Sequence, residues 1–364
     1  MAMMKAAIFV DKGRIELTDK EIPAVGPNDA LVKITTTTIC GTDVHILKGE
    51  YPVAKGLTVG HEPVGIIEKL GSNVQGYREG QRVIAGAICP SFTSYPCQDG
   101  FPSQDGAYLE KDGHCSCHGY KATAGWRFGN IIDGTQAEYV LVPDAQANLA
   151  PIPDGLTDEQ VLMCPDIMST GFKGAENANI QIGDFVAVFA QGPIGLCATA
   201  GAKLRGASVI IAIDGNDGRL EIARQMGATV TLNFKKVDVV DEVMKLTRGR
   251  GVDSSIECLG LQQTFEQALR ILKPGGTLSS LGVYSQDLLL PLNAIAAGLG
   301  DHTIRTALCP GGKERMRRLM NVISSGSVDL KPLVTHTRKL DEIVEAYDLF
   351  ANQRDGVLKI AIKP

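Results

Sequence analysis

Between residues 40 and 62 the chain gathers a thiol, two imidazoles, a hydroxyl and a carboxylate. They lie in Cys40-Gly41-Thr42-Asp43-Val44-His45, an extended Leu57-Thr58-Val59, and Gly60-His61-Glu62-Pro63. Cysteine sulfur and histidine nitrogen are preferred ligands of zinc, and a catalytic zinc takes three protein ligands while keeping one position open. Alone, Cys40 would read as a buried thiol and His61 as a hydrogen-bonded core histidine. Together they offer two ligands, so a third should stand elsewhere. Cys164 and Asp166 are the candidates, in Cys164-Pro165-Asp166-Ile167-Met168-Ser169-Thr170-Gly171. Glu62 either ligates or stands behind the ligands.

A second group of residues concerns a nucleotide. Phe185-Val186-Ala187-Val188-Phe189-Ala190 reads as a buried strand, and an Ala-rich helix runs from Leu196 to Arg205. Between them, the turn Ala190-Gln191-Gly192-Pro193-Ile194-Gly195 matches G-x-G-x-x-G except at Ala190, whose Cβ resists positive φ. Gly192 would let the backbone approach a pyrophosphate seated on the helix N-terminus, and Gly195 would allow close helix–strand packing. Pro193 suits the first helical turn, where an N–H has no helical partner. Asp214 closes the next strand, 19 residues past Gly195. Its carboxylate can accept from both ribose hydroxyls and would repel a 2′-phosphate, pointing to NAD over NADP. Arg219 argues the other way, since it could reach such a phosphate.

These sites need elements to hold them. A chain of 364 residues suggests two domains. Up to about residue 165, short β-branched runs are punctuated by Gly and Pro, as in an irregular β-barrel. They include Ala6 to Val10, Ala30 to Thr35, Val64 to Glu68, Arg82 to Ala85 and Ala137 to Val142. From 166 to 310 strands alternate with helices, which implies a doubly wound parallel sheet. Helices are expected over 312–325 and 341–352. A last strand, 357–362, should rejoin the barrel. The domains are thus expected as 1–165 with 311–364, and 166–310.

Composition excludes several classes. A net charge of −5 argues against nucleic acid or an acidic membrane surface as partner. No stretch nears the ~18 apolar residues of a membrane span, and no signal peptide is evident at the N-terminus. The nine cysteines are scattered and odd in number, which favours free thiols and metal ligands in the cytoplasm over a disulfide framework.

Taken together, Cys40-Gly41-Thr42-Asp43-x-His45, Gly60-His61-Glu62, Ser169-Thr170-Gly171 and the glycine turn resemble the zinc-dependent alcohol dehydrogenases of the medium-chain dehydrogenase/reductase superfamily. The resemblance spans essentially the whole chain. It implies a GroES-like catalytic domain and a Rossmann NAD-binding domain. It makes Cys40, His61 and Asp166 the zinc ligands, with Asp166 where most members have cysteine and Cys164 left as a buried thiol. It also gives Thr42 the hydroxyl that bonds the alcohol and His45 the imidazole that passes the proton to solvent, with Glu62 beside them. An imidazole titrating near ~6.5 suits that relay. Cofactor contacts follow at Thr170, Gly192, Pro193, Ile194, Gly195, Asp214, Arg219, Leu259 and Val283.

Aspartate at 166, Gly125-Trp126-Arg127-Phe128-Gly129-Asn130 and Cys309-Pro310-Gly311-Gly312 are similar to the tetrameric bacterial secondary-alcohol branch, which implies a homotetramer acting on a small alcohol or ketone. NADP-using members of that branch lack an acid at the position of Asp214. Many relatives hold a structural zinc through C-x2-C-x2-C-x7-C. Here Cys89, Cys97, Cys115 and Cys117 are spaced differently, and Cys-x-Cys is too short for the usual ligand bite, so one catalytic zinc and no structural zinc are expected. Residues 89–134 are then expected to wall the pocket and meet a neighbouring subunit. Two alternatives stand beside this reading. One is a polyol or aldehyde-adduct dehydrogenase of the same superfamily; the other is a non-catalytic nucleotide-binding protein that keeps the fold.

Overall fold

The computed structural model describes residues 2–105 and 125–364, so His114, Cys115, Cys117 and His118 lie outside the described residues. The chain divides into two compact units, Met1–Ser169 with Cys309–Pro364, and Thr170–Leu308. The divisions fall after residues 169 and 308 instead of after 165 and 310, so Asp166 belongs to the first unit.

The first unit is an irregular β structure. Strands β1 (Met3–Asp11) and β2 (Arg14–Glu21) form an antiparallel hairpin. The main sheet uses β3 (Ala30–Thr38), β4 (Val64–Leu70), β5 (Arg82–Ala85), β6 (Tyr139–Val142) and β7 (Leu149–Pro151). The C-terminal strands β14 (Val334–Lys339) and β15 (Lys359–Lys363) join it, and β15 pairs antiparallel with β3. Alternate residues of these strands point inward. Val32, Ile34, Ile67, Val83, Val140 and Val142 pack around Phe128, while Ile360 and Ile362 pack with Ile39, Ile46 and Tyr347. Strand β14 lies largely outside that pattern, and its half-exposed, polar sequence carries no apolar alternation to announce it; β2 contributes only Ile15 and Leu17 to the core.

The second unit holds β8 (Phe185–Phe189), β9 (Val209–Asp214), β10 (Val230–Asn233), β11 (Val252–Glu257), β12 (Leu272–Ser280) and β13 (Thr303–Thr306), with helices between them. The sheet is parallel throughout in the order β10-β9-β8-β11-β12-β13. That order reverses direction between β8 and β11, which creates the crevice where such sheets bind dinucleotides. Helix Ser169–Asn177 lies against helix Pro193–Leu204. A Cβ on Gly171 would meet Cys197 Cβ at 2.6 Å and Ile194 O at 2.7 Å, so only glycine permits that approach. No helix among the described residues is long and apolar enough to cross a membrane.

Candidate metal and nucleotide sites

Cys40 leaves the end of β3 as the cap of a seven-residue helix, α1 (Gly41–Leu47). Its backbone N–H donates to Asp43 Oδ2 at 2.9 Å, so Asp43 fixes the helix start and the direction of the thiol together. His61 arrives on a segment threaded between two others. Val59 N donates to Ala7 O at 3.0 Å, and Gln136 N donates to Val59 O at 3.0 Å. Gly60 has φ +90°, and a Cβ there would meet Gln136 Cγ at 2.6 Å. The Gly-His pair is therefore a backbone requirement: only glycine makes the bend that delivers the imidazole. Asp166 comes from a single π-turn, Cys164–Met168, of the kind often found at functional sites.

One ligand atom from each of Cys40, His61, Glu62 and Asp166 lies within 4.8 Å of the others. Asp166 Oδ2 stands 3.5 Å from Cys40 Sγ and 3.4 Å from His61 Nε2. Tetrahedral zinc with bonds of 2.0–2.3 Å separates its ligand atoms by about 3.3–3.8 Å, so the Asp166 carboxylate already stands at such an edge from both the thiol and the imidazole. Cys40 and His61 are buried, whereas 13% of the Asp166 side chain stays exposed, opening the cluster on that side.

Glu62 is arranged otherwise. Its Oε2 accepts from Lys359 Nζ at 2.6 Å, and both side chains are buried. Lys359 also donates to Ile39 O at 3.2 Å. Glu62 Oε1 has no hydrogen-bond partner, an orphaned buried oxygen beside the cluster. Behind His61, Nδ1 faces Asp43 Oδ1 at 3.3 Å, without the alignment of a full hydrogen bond. Asp43 is held in turn by Gln136 Nε2 at 3.3 Å, and Gln136 accepts from Tyr347 OH at 2.8 Å. Burial alone would depress the His61 imidazole, but the Asp43 and Asp166 carboxylates outweigh it and raise the group well above its ordinary range. Burial also pushes the Cys40 thiol up.

Thr42 and His45 ride on α1. Thr42 Oγ1 is 4.0 Å from Cys40 Sγ. His45 is partly exposed and bonds Glu50 through Nδ1, a contact that lowers the Glu50 carboxyl. An aromatic row joins them. Tyr51 stands 5.3 Å from His45 and 6.0 Å from Trp126, and Trp126 meets His61 edge-on at 6.1 Å. Trp126 is locked by its indole N–H on Phe128 O at 2.8 Å. Sequence reading assigned no site role to Asp43, Tyr51, Trp126 or Lys359; only the Gly125-to-Asn130 stretch carried a signal. Cys89 is buried and its thiol is pushed up to about 12, as fits a structural thiol.

In the second unit the glycine turn carries strain. Ala190 sits at φ +65°, the left-handed region that its Cβ disfavours. A Cβ on Gly195 would meet Ala190 O at 1.8 Å, while one on Gly192 would meet nothing within 4 Å. Gly195 is thus fixed by packing, and Gly192 leaves open room where a pyrophosphate could approach. Pro193 and Ile194 open the helix. Asp214, at the end of β9, is largely buried, and its carboxylate braces the turn. Oδ2 accepts from Gln191 N at 2.7 Å and Oδ1 from Asn216 N at 2.9 Å. Arg219 lies in the first turn of helix Asp217–Met226, Thr170 is buried in helix Ser169–Asn177, and Leu259 and Val283 are exposed beyond β11 and β12.

Four clustered side chains able to hold a metal in the first unit, and a strained glycine turn at the switch point of a parallel sheet, are the arrangement of a zinc- and nucleotide-type dehydrogenase. Comparison with known proteins agrees. Residues 26–154 match the alcohol dehydrogenase GroES-like domain, and 193–325 match the zinc-binding dehydrogenase domain. An alcohol dehydrogenase of Cupriavidus necator is 83% identical, covering 100% of this chain and 99% of that protein. The NADP-dependent isopropanol dehydrogenase of Thermoanaerobacter brockii is 36% identical over 98% of each chain. Among solved structures, alcohol dehydrogenase TADH from Thermus sp. ATN1 superposes with a TM-score of 0.85 at 31% identity, covering 99% of both chains. The chain belongs to the zinc-dependent alcohol dehydrogenases of the medium-chain dehydrogenase/reductase superfamily, in their secondary-alcohol branch.

Proposed function

We propose that the protein is an NAD-dependent dehydrogenase of small secondary alcohols, with one zinc held by Cys40, His61 and Asp166. The observation that carries this reading is the clustering of those three ligand atoms, with Asp166 at tetrahedral-edge distance from both Cys40 and His61 and partly exposed. When bound, zinc supplies a Lewis acid that polarises the alcohol oxygen. The chain does the rest. Thr42 Oγ1 accepts a hydrogen bond from the alcohol hydroxyl, and His45, which bonds Glu50 at the protein surface, is the imidazole that passes the released proton to solvent. Trp126 and Tyr51 wall the space beside His61 with rigid apolar rings, which suits a small, branched substrate. The isopropanol specificity named for the Thermoanaerobacter relative favours the same class.

The relatives named as isopropanol dehydrogenases use NADP, yet Asp214 favours NAD. Its carboxylate is pinned by two backbone amides and keeps lone pairs for ribose hydroxyls, where a 2′-phosphate would meet a fixed negative charge. A homotetramer in the cytoplasm completes the reading. Strand β13 is an open edge, and Leu289, Leu290, Leu292, Leu299 and Ile304 are exposed around it in sequence. Cys40, Cys89, Cys97, Cys164 and Cys258 are free thiols. Steady-state rates test the assignment: kcat/KM should be higher for 2-propanol than for ethanol, and higher with NAD than with NADP. The reverse order on either axis contradicts that part of it.

Two outcomes follow from the buried charges. Without the ion, Cys40 and His61 both carry protons near neutral pH, because burial holds the thiol up and the two carboxylates hold the imidazole up. Zinc needs thiolate and neutral imidazole, so loading at pH 7 should release about two protons per ion. Calorimetry in buffers of different ionisation enthalpy counts them, and release of none would exclude these ligands. The sign for stability is opposite to that for affinity. The folded-state value of His61 lies above the unfolded one, so its contribution to the metal-free fold is complete below about pH 6.5 and is lost as pH rises through the raised value. Zinc affinity instead falls as pH falls.

Lys359 ties Glu62 back, so the cluster keeps three ligands and an open position. Lys359→Met should free Glu62 to close that position, leaving zinc bound but lowering kcat/KM by about 10–100-fold. Metal content and rates measured on the same sample decide it; unchanged rates with zinc retained would give Glu62 no such freedom.

A further inference from the structure

Across the switch point from the glycine turn stands a buried carboxylate that the proposed chemistry does not use. Glu257, the last residue of β11, is fully buried, and among the described residues no cationic side chain pairs with it. Four hydrogen bonds compensate it instead. Oε1 accepts from Leu259 N at 2.8 Å, Gly260 N at 2.9 Å and Thr264 Oγ1 at 2.7 Å. Oε2 accepts from Tyr284 OH at 2.8 Å, and Tyr284 OH shares a further bond with Ser280 Oγ at 2.7 Å. One arm therefore grips the loop after β11 and the other grips the loop after β12.

The two loops also press glycine on glycine. Gly260 has φ +88°, and a Cβ there would meet Val283 O at 2.4 Å; a Cβ on Gly282 would meet Gly260 N at 2.2 Å and Glu257 Oε2 at 2.4 Å. What this clip presents is apolar and uncovered. Leu259 is 49% exposed and Val283 54% exposed, both at the carboxyl ends of adjacent parallel strands, where ligands of such sheets bind. A buried carboxylate without a counter-ion is costly unless fully hydrogen-bonded, so the arrangement fixes these loops at a cost in stability that packing alone would not require.

We propose that Glu257 is a positioning residue for the nicotinamide cofactor: its carboxylate clips loop 258–261 to loop 281–284 so that Leu259 and Val283 stand together as an apolar face for the cofactor. The proposal rests on the NAD reading above. Its test compares wild type with Glu257→Ala, Glu257→Gln and Tyr284→Phe, measuring NADH dissociation constants by nucleotide fluorescence alongside kcat and KM for NAD. Loss of the clip in Glu257→Ala should raise the NADH Kd and the KM for NAD by about tenfold or more, with kcat per zinc-loaded site changed less than about threefold. Glu257→Gln keeps an acceptor for Leu259, Gly260 and Thr264, and Tyr284 OH can turn to Ser280, so binding should recover to within about threefold. Tyr284→Phe cuts one arm only and should fall between. Hydrogen exchange should quicken at the amides of Leu259 and Gly260 in Glu257→Ala and not in Tyr284→Phe. If wild type fails to bind NADH, the cofactor reading falls. If wild type binds NADH and Tyr284→Phe and every folded Glu257 variant bind equally well, or if Glu257→Gln is as weak as Glu257→Ala, the clip is overturned while the cofactor reading stands.

Discussion

His61→Ala is expected to strip the metal from the protein and lower kcat/KM for any alcohol by about a thousandfold or more. The size follows from where the ring sits. Nε2 faces Asp166 Oδ2 at 3.4 Å and Nδ1 faces Asp43 Oδ1 at 3.3 Å, so one side chain would join the proposed ion to the support behind it. Removing it leaves two carboxylates in a buried site with neither metal nor imidazole between them, and stability should fall by about 3–5 kcal/mol. Asp166→Ala separates the two effects. Asp166 lies at the open rim, so its loss should remove zinc and activity with a much smaller drop in melting temperature. Metal analysis and thermal unfolding of both variants check this. Full activity in either would place the chemistry elsewhere.

The second large effect concerns the cofactor. Asp214→Gly should swing the NAD-to-NADP ratio of kcat/KM by about 100-fold or more toward NADP, since it removes both the proposed ribose acceptor and the charge that would oppose a 2′-phosphate. The substitution has a side effect that the hydrogen bonds make plain. Asp214 also holds Gln191 N and Asn216 N, so its loss leaves two turn amides without an acceptor beside the strained Ala190. A drop of about 1–3 kcal/mol in stability should accompany the swing. Asp214→Asn keeps one oxygen for the turn while removing the charge; it should recover most of that stability and still relax the preference. A ratio within about threefold of wild type in both variants would mean that Asp214 acts on the turn and never on the ribose.

Much of the architecture was legible because the patterns are local. β-branched runs broken by glycine and proline announce the barrel strands, and the strand–glycine turn–helix–acid order announces the nucleotide unit. Elements without an apolar signature escaped. Strand β13 is Thr303-Ile304-Arg305-Thr306 with every residue exposed, and α1 is too short for a helical period. At the metal cluster, the thiol, imidazole and carboxylate types were visible in the sequence, and the structure brings Cys40, His61 and Asp166 together. Their supports were not visible, because they depend on distant pairings. Lys359 reaches Glu62 from the last strand of the chain, and Tyr347 reaches Gln136 across 211 residues. Ala190 shows the limit in the other direction: alanine argues against positive φ, yet the packing of Gly195 against its carbonyl holds it at +65°. The lobe cysteines, Cys115 and Cys117, lie outside the described residues, so the expectation of no structural zinc and the proposed subunit contact stay with the sequence.

The most direct test of the account is zinc content measured together with 2-propanol-dependent NAD reduction, on wild type and Asp166→Ala side by side. One zinc per chain with turnover in wild type, and neither in Asp166→Ala, is the predicted result. Zinc-free wild type that still turns over, or Asp166→Ala that keeps both its metal and its activity, would contradict it.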